Sequence, residues 1–182
     1  MLFETKNFSL KNGTTAIFRS PEISDAPEMV AYLKATAAET PFLMNYPEEI
    51  RTTAAQEEAY LQAARDNPAE TMIVCEIDGK IAGTCHLTCK TKSKNCHRGR
   101  IGIALLKPYW SIGIGTAMFR EMIALGRQKG LEQLDLEVFE GNERGISLYE
   151  KMGFRIAASI PNAIKLKDGT CWAEHIMVLE LS

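Results

Sequence analysis

Two glycines one residue apart, Gly113 and Gly115, stand where an apolar run through Leu105 and Leu106 gives way to a helical pattern from Ile114. Glycine lets the backbone turn tightly there and come close to a ligand. The N–H groups that open a helix have no intrahelical acceptor and carry the positive end of its dipole. The backbone of Ile112, Gly113, Ile114, Gly115 and Thr116 is therefore suited to a phosphate or pyrophosphate. An ordinary glycine turn capping a helix has the same composition, so the pair does not decide the matter alone. A dinucleotide-binding fingerprint would want a third glycine where Met118 stands, inside a βαβ unit, usually the chain's first.

Three further side chains have chemical potential. Asn142 lies at a strand-to-helix junction, and Gly145 and Tyr149, four residues apart, share one helix face. A glycine one turn below a tyrosine is expected to open space beside its hydroxyl; a core tyrosine is the plainer alternative. Glu137 alternates with Leu136 and Val138 on a strand and faces away from them. It is either a proton acceptor or a carboxylate turned to solvent or to an arginine. His86 and His97 are further bases to weigh, and a water relay is another route.

The elements that must position these residues follow from periodicity. Residues 14–19 read as a strand. Ser24-Asp25, with Pro27 in the first turn, open a helix that carries Met29, Val30, Leu33 and Ala37. Residues 40–49 read as a loop, and Thr52-Thr53 cap a second helix to about Arg65. Residues 71–77 and 81–89 are strands joined by an Asp78-Gly79 hairpin turn. A basic stretch from Lys90 to Arg100 reads as a solvated loop, with an anion-binding rim as the alternative, and 101–106 is a strand. A helix over 114–129 ends at Gly130. A strand at 134–138, a helix over 142–152 and strands at 154–160 and 171–181 complete a β-α-α-β-β-β-α-β-α-β-β order. That order implies an α+β fold, a mixed sheet flanked by helices, in one domain spanning 1–182.

The strand–Gly-x-Gly–helix junction at 101–116 and the run Asn142-Glu-Arg-Gly145-Ile-Ser-Leu-Tyr149-Glu-Lys-Met-Gly153-Phe154 together resemble the GNAT superfamily of acetyl-CoA-dependent N-acyltransferases. The closing Trp172-Ala-Glu174-His-Ile-Met177 more loosely resembles the ending of many amino-acid, polyamine and ribosomal-protein acetyltransferases. The resemblance implies the GNAT fold and transfer of an acetyl group from acetyl-CoA to a primary amine of a small molecule or protein N-terminus, without a metal. It implies that residues 112–116 hold the CoA pyrophosphate and that the pantetheine arm lies against Ala104, Leu105 and Leu106. Asn142 would bond that arm, and a backbone N–H near Leu105 or Leu106 would stabilise the thioester oxyanion. Tyr149 would protonate the departing thiolate. Many relatives carry a glutamate base on the strand before the glycine loop, where this chain reads Arg98-Gly-Arg-Ile-Gly102. An alkyl ammonium, with a pKa of about 10.4, must lose a proton before it attacks. Ribosomal-protein N-terminal acetyltransferases place a glutamate in a Leu-Glu-Val run, which assigns the base to Glu137. A non-catalytic acyl-CoA-binding module of the same fold is the second function class.

Composition narrows the partners. A formal net charge of −2 with 24% charged residues gives no field for nucleic acid or anionic lipid. Five cysteines at 75, 85, 89, 96 and 171 form no C-x-x-C pair, which argues against a disulfide framework or a zinc site. The start of the chain lacks the basic-then-apolar order of a signal peptide. A reduced cytoplasmic protein is expected, and a homodimer is compatible with this.

Overall fold

The computed structural model describes residues 2–181. The elements run β1 (Lys6–Ser9), β2 (Thr15–Arg19), α1 (Ala26–Glu39), α2 (Ala54–Asp66), β3 (Glu70–Ile77), β4 (Lys80–Cys89) and β5 (Arg98–Leu105). They continue with α3 (Ile114–Gln128), β6 (Gln133–Phe139), α4 (Glu143–Lys151), β7 (Arg155–Lys165) and β8 (Cys171–Glu180). The strands form one eight-stranded sheet in the order β1-β2-β3-β4-β5-β6-β8-β7. Helices cover both faces. Met118, Phe119 and Met122 of α3 pack on Leu134, Leu136 and Met177. On the other face Met29 and Tyr32 of α1 and Leu61 of α2 pack on Val74 and Ile81. Burial from two sides is why β3 carries the unbroken apolar run from Met72 to Cys75 rather than a strict alternation.

Local signals act where the sequence places them. Asp78 (φ 50°) and Gly79 (φ 72°) both take positive φ, as a two-residue hairpin turn with right-handed twist requires. Thr53 accepts from the Gln56 N–H while Gln56 returns an acceptor to the Thr53 N–H, a capping box that starts α2. Gly130 takes φ 72°, and the Leu131 N–H reaches back to the Gly126 carbonyl to close α3.

Four expectations are corrected. The first strand is preceded by another, β1, whose one inward aromatic, Phe8, stacks on Phe18 at 4.3 Å; four residues with a single apolar anchor leave no readable period. Strand β5 begins at Arg98 rather than Ile101, so the end of the basic stretch is sheet, not loop. There Arg98 and Arg100 donate to Asp135 at 3.0 and 2.8 Å, and a carboxylate that is 1% exposed is thereby compensated. Leu106 lies beyond the end of β5, and its N–H donates to the Ala82 carbonyl. Strand β7 runs on past Pro161 to Lys165, because the register shift between Ile160 and Ile164 absorbs the proline on an edge strand.

The sheet's function-bearing feature is at its middle. Among the described residues only β5 and β6 pair in parallel, and their register covers Arg98 to Arg100 against Gln133 to Asp135. The remainder of each strand has no partner in the other, so a wedge opens between them. Arg98 and Leu106 bond to Lys90 and Ala82, which turns the backbone polar groups of even-numbered β5 residues toward β4. Those of Ile103 and Leu105 turn the opposite way, into the wedge.

Candidate active site

The wedge is part of a cleft of about 480 Å³. Strand β5 supplies Ile103 and Leu105, the glycine turn supplies Gly113, Gly115 and Thr116, and β6 supplies Glu137, Val138 and Phe139. Helix α4 adds Leu148 and Tyr149, and the segment after α1 adds Thr40, Phe42 and Met44.

At one end stands the N-terminus of α3. Gly113 is its N-cap at φ 105°, with no side chain bonded over the first turn. The first intrahelical bond runs from the Ala117 N–H to the Gly113 carbonyl. The N–H groups of Ile114, Gly115 and Thr116 therefore have no partner within the helix. The Ile114 side chain is core, at 1% exposure, and Ile112 packs beside the core, so both can offer only backbone. Lys11, Arg144 and Lys151 line the same cleft; Arg144 also stacks over Trp110 at 4.8 Å and donates to the Ser111 hydroxyl. None of these three cations stands out in the sequence, although Arg144 and Lys151 lie inside the 142–154 motif. Lys11 belongs to the hairpin between β1 and β2, which the sequence did not reveal.

In the wedge, the Trp110 indole N–H donates to the Leu105 carbonyl at 2.8 Å. That ties one polar group of Leu105 and leaves its N–H facing the cleft. Leu106 does not line the cleft, and its N–H is committed to Ala82, so Leu105 alone can serve as the donor expected at this point.

Asn142 caps α4 by accepting the Gly145 N–H at 2.9 Å, which leaves its Nδ2 as a donor beside the cleft. A Cβ on residue 145 would come within 2.7 Å of that Nδ2. Gly145 therefore makes room for the asparagine cap, not for the tyrosine hydroxyl as the spacing suggested. Tyr149 packs its ring on Phe119 (5.2 Å) and Phe154 (6.4 Å). Among the described residues its hydroxyl has no hydrogen-bond partner, and it lines the cleft. Burial pushes the phenol's pKa up, so the group stays protonated at neutral pH.

Glu137 reaches the cleft from β6 but is ion-paired with Arg100 Nη1 at 2.9 Å. A second carboxylate stands next to it. Ile176 pairs with Glu137, and Glu174 pairs with Phe139, in the β6–β8 register. Alternation along both strands puts Glu137, Phe139, Glu174 and Ile176 on one face. Glu174 lines the cleft, and no ion pair holds it among the described residues. Its role depended on which strand β8 joins, which no local pattern encodes.

The histidines weighed as bases lie elsewhere. Neither His86 nor His97 lines the cleft. His97 precedes β5, where its backbone carbonyl accepts from Glu132 and Gln133. Burial on β4 lowers the His86 pKa from 6.5 to about 4. The unfolded chain thus takes up this proton near pH 6.5, whereas the folded chain does so only near pH 4. Between those values the unfolded state binds more protons, so stability falls as pH falls and levels off below about 4. Melting temperatures of the wild type and His86→Asn, scanned over that window, should show the wild type losing ground steadily toward low pH. A difference independent of pH would contradict the burial.

Residues 36–154 match the sequence pattern of the Acetyltransferase (GNAT) family, more than half of the chain. The chain belongs to this family. Among curated proteins, an L-amino acid N-acetyltransferase of Escherichia coli is 28% identical over 92 residues, which is 50% of this chain and 57% of that protein. The match thus spans little more than half of that relative. Among solved structures, the acetyltransferase of GNAT family from Streptococcus pneumoniae superposes with a TM-score of 0.85 at 27% identity, covering 91% of this chain and 99% of that one. A Salmonella typhimurium protein solved with its cofactor acetyl-CoA shares the fold, with a TM-score of 0.78 at 16% identity and coverage of 92% and 94%.

Proposed function

We propose that this GNAT protein transfers the acetyl group of acetyl-CoA to a primary amine by direct attack on the thioester. The observation that carries the proposal is the meeting, in one cleft, of an unpartnered buried phenol, a backbone donor in a sheet wedge and an uncapped helix N-terminus.

Acetyl-CoA supplies an acyl group already activated as a thioester. The chain's residues do the rest. The N–H groups at the start of α3, with Lys11 and Arg144 nearby, suit the phosphates. The free amide of Asn142 and the wedge-facing N–H of Leu105 suit carbonyl oxygens, and the second is aimed where negative charge develops on the thioester oxygen. Tyr149 keeps a proton on its phenol, at the end of the cleft where sulfur departs. Glu137 accepts the proton that the amine gives up, directly or through water. The proposed transfer is direct, without a covalent acyl-enzyme.

Initial rates at several fixed concentrations of each substrate test the proposal. Intersecting double-reciprocal lines are expected, since both substrates must be bound together; parallel lines would point to an acylated protein and contradict it. Glu137→Gln should lower kcat about 10²-fold while leaving CoA affinity unchanged. A near-native rate in that variant would pass the proton to water alone. Five free cysteines, two of them exposed, fit a reducing compartment, and the cytoplasm is the proposed location.

A further inference from the structure

The acceptor end of the cleft has a definite charge balance. Arg98 and Arg100 bind Asp135 at 3.0 and 2.8 Å, and Arg100 also binds Glu137 at 2.9 Å. Two cations meet two anions, so neither guanidinium retains net charge for a substrate carboxylate. The cations that do line the cleft, Lys11, Arg144 and Lys151, belong to the segment that leads into β2 and to α4. Lys11 approaches Gly113 and Arg144 donates to Ser111, which ties these two to the α3 N-terminus. Glu174 is left over: a cleft-facing carboxylate with no ion pair among the described residues. Beside it, Phe42 packs on Trp172 at 5.6 Å. The acceptor end thus carries one uncompensated negative charge against an aromatic wall.

The cleft also continues. A second hollow of about 460 Å³ shares Thr40, Leu43, Met44 and Phe139 with the first. It runs between the segment after α1 and the end of β7, past Pro41, Ile164 and Leu166. Two charged side chains of opposite sign lie in its lining, Lys165 and Glu39, and Glu39 already accepts the Lys107 N–H at 2.6 Å. The rest is mostly apolar, which suits an extended chain without charges better than a polyamine with cations spread along its length.

We propose that the acceptor is a polypeptide N-terminus, whose ammonium pairs with Glu174 and whose following residues lie in this second hollow. Free amino acids are disfavoured, because their carboxylate would sit beside the amine, where Glu174 repels it and where, among the described residues, both arginines of the β5–β6 contact are already paired with Asp135 and Glu137. The proposal rests on the transfer reaction above and names its acceptor. In that reaction the N–C bond forms and the C–S bond breaks. The ammonium loses two protons, one matched by the proton gained at sulfur and the other released to solvent.

Thiol release from acetyl-CoA, measured with L-alanine, L-alaninamide, spermidine and an amidated apolar tetrapeptide beginning with alanine, tests it. Alaninamide should exceed alanine in kcat/KM by about tenfold, and the tetrapeptide should exceed alaninamide by a similar factor. Spermidine should fall below the tetrapeptide. Glu174→Gln should raise the KM for the tetrapeptide about tenfold and narrow the gap between alaninamide and alanine, with KM for acetyl-CoA unmoved. Alanine equal to alaninamide, spermidine as the best acceptor, or a tetrapeptide no better than alaninamide would overturn the acceptor assignment and leave the transfer reaction standing. No thiol release with any of the four would overturn the transfer reaction itself.

Discussion

Tyr149→Phe is expected to lower kcat about 10²-fold while KM for acetyl-CoA stays within about twofold. The substitution keeps the ring, so the contacts with Phe119 and Phe154 at 5.2 and 6.4 Å persist. It removes an oxygen that has no hydrogen-bond partner among the described residues, so no buried acceptor or donor is left unsatisfied. Stability should therefore hold, with a melting temperature within a few degrees of wild type. Burial raises the phenol's pKa, which fixes the direction of its role: it can give a proton to a sulfur bearing negative charge, and it cannot act as a base near neutral pH. A proton delivered only as the C–S bond breaks is a transition-state interaction, which is why kcat moves and KM does not. Full turnover with a lowered melting point would make Tyr149 a packing residue and remove the acid from the mechanism.

Gly113→Asp should weaken CoA binding about 10²-fold, whereas Gly113→Asn should weaken it only a few-fold. The backbone at this residue has φ 105°, which strains any side chain, but asparagine and aspartate tolerate positive φ better than most. Space is not the obstacle: the nearest atom to a Cβ there is Lys11 Cγ at 4.0 Å. The two variants thus share strain and size and differ in charge. A unit charge about 4 Å from a phosphate costs about 4 kcal/mol at an effective dielectric of about 20. Screening in an open cleft brings that nearer 2–3 kcal/mol, or about 10²-fold in affinity. Calorimetric titration with CoA on folded samples of both variants reads the difference. Equal affinities would mean that the phosphates lie elsewhere.

What was legible in the sequence was what neighbouring residues encode. The positive-φ pair at Asp78 and Gly79, the uncapped start of α3 behind Gly113, and the Asn142 cap of α4 each depend on a few consecutive residues. The helices and most strands followed from their periods. What was hidden depends on partners far along the chain. The pairing of Arg100 with both Asp135 and Glu137 needs the parallel contact of β5 with β6. Glu174 joins the cleft because β8 inserts between β6 and β7, so that its register with Phe139 decides which way it faces. Leu106 looked like a continuation of its strand, and only the reach of its N–H to Ala82 takes it out of the wedge. Gly145 shares a helix face with Tyr149 one turn away, but the atoms nearest its missing Cβ belong to Asn142, three residues before it.

The measurement that bears most directly on the central claim follows free thiol and acetylated product together, after the wild-type protein is mixed with acetyl-CoA and an amidated alanine peptide. Thiol should appear only when the peptide is present, with one N-acetylated peptide formed per thiol released. Thiol release that is independent of the peptide, or thiol released without a matching amount of acetylated peptide, would contradict direct transfer in this cleft.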